Sequence, residues 1–327
     1  MRASSMLLLM ALVAGSAHAE PDATPTPTPP PRRALSSDNL SAAEFAFVRD
    51  FNGRRLWSSH VAPVARGGHQ AIELLDGSGE AFAPVARAKL PAELKPLAGA
   101  RVRLYSADGK ECEVKLEHWG ILAEFNPVPE GEEGEPSPSE LARRAFSTDE
   151  SAVLSYAVDI TAASKHCGEV LWARLATLPQ VPSYPVEELK GKALGQLRPL
   201  LRKTKAFVEA QQRYRQELKG SWDRHQFTAF SGYAAQVEST RYLVGNLHNF
   251  EGCDSFAGDA IGVFEQAAAG YREHPNAMSV PLHPVRAVDL NGDGFPEWIS
   301  EYYLVGWDGT ELRILRDVEP ESWWCPC

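Results

Sequence analysis

RVRLYSADGKECEVKL, residues 101–116, decides the fold class. The runs RVRLYS (101–106) and ECEVKL (111–116) alternate in character, as strands with one buried face do. Between them Asp108 and Gly109 supply the positive backbone angles of a tight hairpin turn. Outward from this hairpin, residues 41–180 keep the same habit of short apolar or alternating runs cut by turn residues. They predict a β-rich first part, with strand character resuming over 151–160 and 169–173. The acidic, Pro-rich stretch 127–140 interrupts it and reads as a long exposed loop.

Upstream, Arg2, the apolar run 6–13 and Ala17-His18-Ala19 have the three parts of a secretory signal, so residues 1–19 are expected to be cleaved. No cysteine follows that site before Cys112, which argues against a lipid anchor. Residues 20–40 include PDATPTPTPPPRR, whose prolines favour an extended, hydrated spacer. Beyond the signal no apolar run reaches the ~18 residues of a membrane span. The expected destination is the periplasm or the extracellular space.

Downstream the period changes. Val186, Leu189, Ala193, Leu197, Leu200, Phe207, Gln211, Tyr214 and Leu218 recur near helical spacing, predicting one long amphipathic helix over 185–219. Pro185 suits its first turn, Gly220 its stop, and Pro199 is expected to kink or divide it. Strand character returns over 240–247, 260–266, 285–290, 297–306 and 311–316, a β-meander within residues 221–327. The predicted fold is therefore mainly β with one long helix: two β-rich parts of antiparallel sheets, joined by an amphipathic connector.

Five cysteines, Cys112, Cys167, Cys253, Cys325 and Cys327, would meet an oxidising compartment after export. Cys112 and Cys167 both lie beside strands of the first part and are expected to pair. A second bridge is expected from Cys253 to Cys325 or Cys327, leaving one thiol over.

DLNGDGFPE, residues 289–297, carries the clearest chemistry. Asp289, Asn291, Asp293 and Glu297 stand at positions one, three, five and nine, with Gly294 at six. Calcium accepts ~6 to 8 oxygens, and a chain wrapped around it offers alternate side chains plus the seventh carbonyl, here that of Phe295. An EF-hand loop would need a carboxylate at position twelve, where Ser300 stands, with Glu301 one later.

The stretch 285–299 resembles the strand-loop-strand calcium motifs of the FG-GAP and VCBS repeat families. The resemblance covers roughly thirty residues, and in those families the loop binds calcium between two strands. It implies ligands at Asp289, Asn291, Asp293, Glu297 and, through its carbonyl, Phe295. Glu297 replaces the usual Asp, and the chain carries a single clear copy.

The formal net charge of -10 disfavours nucleic acid as a partner. No HExxH, GxSxG or phosphate-binding glycine loop is present, so no catalytic residue is nominated. The histidines are scattered and are read as surface or core residues, His248, near Glu251 and Cys253, being the least improbable exception. Trp298, Trp307, Trp323 and Trp324 are read as core rather than as a sugar platform. The expected function is a secreted, calcium-stabilised β-rich binding or structural protein with an unknown protein or glycan partner. A secreted hydrolase with a non-obvious active site is the rival.

Overall fold

A computed structural model describes residues 34–36, 40–51, 53–59, 64, 73–74, 80–124, 153–249 and 258–318. The signal segment, most of the 20–40 spacer, the 127–140 loop, Cys253, Cys325, Cys327, Trp323 and Trp324 lie outside the described residues. Two nine-stranded antiparallel sheets dominate the described residues. The first holds β1 (Ala46–Phe51), β2 (Arg54–Ser59), β3 (Glu73–Leu74), β4 (Glu80–Pro84), β5 (Arg101–Ser106), β6 (Glu111–Lys115), β7 (His118–Glu124), β8 (Val153–Asp159) and β9 (Val170–Leu175). Their spatial order is β3-β4-β7-β8-β2-β1-β9-β5-β6.

The 101–116 hairpin forms as read, with Val102 opposite Val114 and Leu104 opposite Cys112. Gly109 takes φ +83°, a conformation that resists any residue with a Cβ. The expected bridge is present. Cys112, on the last strand of the sheet, bonds Cys167 in the turn leading into β9, across 55 residues of sequence.

The second sheet holds β10 (Ser183–Glu188), β11 (Thr228–Val237), β12 (Thr240–Asn249), β13 (Gly258–Ala267), β14 (Gly270–His274), β15 (Arg286–Val288), β16 (Glu297–Ile299), β17 (Tyr303–Trp307) and β18 (Leu312–Asp317). They run in the order β14-β13-β12-β11-β10-β15-β16-β17-β18. Just past β14 the chain meets β18: Ala277 N–H donates to Leu312 O at 3.0 Å and Leu312 N–H to Pro275 O at 2.8 Å. The sheet thus curls until its ends meet, enclosing Val244, Ile261, Phe295, Trp298 and Val305 in one apolar cluster.

The single long helix over 185–219 is not what forms. Residues 183–188 are strand β10, and two shorter helices follow, α1 (Gly191–Leu201) and α2 (Lys205–Glu217). Two local causes are visible. Pro185 stands where β10 changes partners, since Ser183–Pro185 pair with β15 while Val186–Glu188 pair with β11. A missing amide hydrogen disrupts a ladder least at such a changeover. Pro199 lies inside α1, but the break comes after Leu201, where Thr204 caps α2: its Oγ1 accepts the Phe207 N–H at 3.2 Å.

The helices do not join two halves; they pack on the outer face of β11–β13. There Gly232, Gly245 and Gly262 stand side by side in register across three strands. A Cβ at Gly245 would lie 2.8 Å from Leu201 and 2.9 Å from Leu197, so the glycines form a furrow into which α1 lowers its leucines. The described residues belong to one compact unit. One buried cluster draws Phe47, Tyr105 and Trp172 from the first sheet, Phe45 from just before β1, and Val288, Ile299, Leu304 and Leu315 from the second.

Helix α1 is also tied down at Asp223, whose side chain is fully buried. Its Oδ2 accepts Arg202 Nη2 at 2.7 Å and Arg198 Nη1 at 3.1 Å. Its Oδ1 accepts the Ser221 hydroxyl at 2.5 Å. Burial alone would raise the Asp223 carboxyl, but the Ser221 hydroxyl and the two guanidiniums outweigh it and hold it below its ordinary value of 3.8. A carboxyl depressed in the folded state lends stability above its unfolded pKa and loses it as pH falls through the folded one. Asp223→Asn is therefore expected to cost ~2 kcal/mol at neutral pH, the scale of hydrogen bonds to a charged acceptor, and to flatten the loss of stability below pH 3.8. Urea midpoints measured against pH check this; parallel curves for the two proteins would contradict it.

Candidate metal centre

The 289–297 segment links β15 to β16, and their pairing sets Glu297 opposite Val288 at its base. Backbone amides turn inward on the side chains the sequence singled out. Asp289 receives the Asp293 N–H on Oδ1 and the Gly294 N–H on Oδ2, both at 3.0 Å. Asn291 Oδ1 accepts the Asp293 N–H at 3.1 Å, and Asp293 Oδ1 accepts the Phe295 N–H at 2.7 Å. Gly292 and Gly294 take φ +75° and +76°, which lets the chain reverse twice within three residues.

Glu297 is 1% exposed, and Asp289 5%. Glu297 Oε2 accepts the Leu290 N–H at 2.7 Å. Burial pushes the Glu297 carboxyl well above its usual range, the Leu290 amide works against that, and nearby Asp293 and Asp289 raise it further. The Phe295 ring anchors the far side of the loop in the core, with its centroid 4.8 Å from that of His274 and 5.6 Å from that of Tyr242. Trp298 is wholly buried one residue past Glu297, in the core role read for it.

The donor set suits a hard cation: three carboxylates, one amide oxygen and the Phe295 carbonyl, with no sulfur or imidazole. The carboxylates are brought to one loop without being drawn into one knot. Among the described residues, the three-residue His, Cys, Asp or Glu group whose ligand atoms all lie within 4.8 Å of one another is Cys112, His166 and Cys167.

Comparison with known protein families, with curated proteins and with solved structures finds no match to this chain. Residue chemistry alone carries the functional reading.

The structure also gives His248 a partner. It faces Asp259 across the β12–β13 ladder, and His248 Nδ1 is hydrogen-bonded to Asp259 Oδ1. His283 Nδ1 lies 2.7 Å from the Tyr233 hydroxyl, and Asn246 pins that segment by bonding both backbone groups of Leu282. Burial, with His248 adding to it, lowers the His283 imidazole below its ordinary value of 6.5. Glu251 and Cys253, the neighbours of His248 in sequence, lie outside the described residues. Only strand register reveals Asp259. Among the described residues no helix is long and apolar enough to cross a membrane.

Proposed function

We propose that this protein is an exported, β-rich binding or structural module whose 289–297 loop is fixed by one calcium ion, with a protein or glycan as its partner. The observation that carries the reading is Glu297, a carboxylate 1% exposed at the base of a loop that also holds Asp289 and Asp293. Burial favours the neutral form of Glu297, and a divalent cation would stabilise its ionised form together with those of Asp289 and Asp293. The FG-GAP and VCBS resemblance supports the same ligands: the side chains of Asp289, Asn291, Asp293 and Glu297, and the Phe295 carbonyl. The expected signal at residues 1–19 supports export, and extracellular calcium is plentiful there.

In this reading the ion supplies positive charge and nothing more. The protein's own work is positional. Asp289 and Asp293 gather the loop amides through their carboxylate oxygens, each of which can accept more than one partner. Phe295 and Trp298 lock the loop to the core, so ordering the loop stabilises the curled sheet.

Thermal unfolding in calcium, magnesium or a chelator tests this. Calcium at a hundred times its dissociation constant is expected to add ~2.7 kcal/mol by linkage. Magnesium is expected to add less, because its tight octahedral shell gives up water reluctantly. Asp289→Ala is expected to abolish the calcium effect. Asp308→Ala is expected to keep it, since Asp308 caps the separate 308–311 turn through the Thr310 and Glu311 amides. Identical curves in all three media would sink the proposal.

A further inference from the structure

A second metal-ligating group lies on the other sheet. Cys112 is half-buried on β6, Cys167 is 8% exposed, and His166 stands next to Cys167 on the surface. The His166 Nε2 is 3.8 Å from Cys167 Sγ, and the three ligand atoms all lie within 4.8 Å of one another. A tetrahedral zinc ion, with bonds of about 2.3 Å to sulfur and about 2.0 Å to nitrogen, sets S and N about 3.6 Å apart and two sulfurs about 3.8 Å apart. His166 already stands close to that separation. Only the two sulfurs, joined as a disulfide, are too near each other.

The disulfide is not what holds these residues in place. Cys112 is carried by the β5–β6 ladder opposite Leu104. The turn bearing His166 and Cys167 is held by its own bonds, Ser164 N–H to Ile160 O and Cys167 N–H to Ser164 O at 2.9 Å each. Arg55 Nη1 adds a bond to Ser164 O at 3.1 Å. Breaking the S–S bond therefore leaves two thiols and an imidazole facing one another, with Cα atoms of the cysteines 5.7 Å apart.

We propose that the reduced protein binds a thiophilic divalent cation, zinc above all, through Cys112, Cys167 and His166, with a fourth position open to water, so that disulfide and metal are alternative occupants of one site. The chemistry balances with a phosphine reductant. The phosphine takes oxygen from water to become its oxide, the disulfide gains two electrons and two protons, and the two thiols release those protons when they ligate the ion. The calcium loop plays no part in this site.

The test is cobalt titration of the full-length protein with Cys253, Cys325 and Cys327 all replaced by serine, reduced by phosphine under anaerobic conditions. The expected result is one cobalt per chain with a thiolate-to-cobalt charge-transfer band, displaced by zinc and absent from the oxidised protein. Cys112→Ser in that background is expected to abolish the band. His166→Ala is expected to weaken binding by more than about tenfold, the loss that even an outer-shell change produces. No band in the reduced protein overturns the proposal, as does a band unchanged by Cys112→Ser or an affinity unchanged by His166→Ala. Circular dichroism accompanies the titration. A fold lost on reduction and not restored by zinc also overturns it.

Discussion

Removal of the Cys112–Cys167 bond is expected to lower the unfolding free energy by ~4 kcal/mol, measured in metal-free buffer. The bridge spans 55 residues, and closing a loop of that length removes about this much conformational freedom from the unfolded chain in the chain-entropy model. The native state loses little in exchange. The 161–168 turn keeps its backbone bonds, and β6 keeps its pairing with β5. Most of the effect is therefore expected in the denatured state, which predicts a larger denaturant m-value for the Cys112→Ser, Cys167→Ser protein as its unfolded chain expands. Equilibrium urea unfolding measures both quantities. A change under about 1 kcal/mol would show that the unfolded chain is already compact in this region.

Gly245→Val is expected to cost about 3 kcal/mol, at the upper end of what overpacking does to a close-packed core. The first added carbon would meet Leu201 Cδ1 at 2.8 Å and both Cδ2 and Cγ of Leu197, at 2.9 and 3.0 Å. Neither leucine has anywhere to go, because both are completely buried between α1 and the sheet. The signature of this mechanism is non-additivity. Leu197→Ala alone is expected to cost ~3 kcal/mol through the cavity it leaves. Combined with Gly245→Ala it is expected to cost less than the sum of the two, since the new methyl occupies part of that cavity. Strict additivity in a double-mutant cycle would remove the furrow as the explanation.

Much of the β character was readable because its signals are short-range. The turn at Asp108 and Gly109 and the runs on either side of it need no distant partner to be recognised. The same holds for the order of groups in the 289–297 loop, where alternating oxygens and two glycines are contiguous. The helix was misread for a related reason. Pro185 and Val186 fit a helical period, yet residues 183–188 are strand because β11 and β15 offer ladders on either side. Gain from two rows of hydrogen bonds overrides a weak local preference.

By itself, then, the sequence determined a β-rich chain, the 101–116 hairpin, the pairing of Cys112 with Cys167 and the composition of an oxygen-rich loop. Tertiary structure decided the rest: the recruitment of residues 183–188 into a strand, the curl of the second sheet, the glycine furrow, the burial of Glu297, and the meeting of His248 with Asp259. The physical reason is register. Which residues face one another across a ladder depends on where distant strands align, and shifting that alignment by one residue turns every side chain to the other face, so no run of neighbouring residues contains the answer.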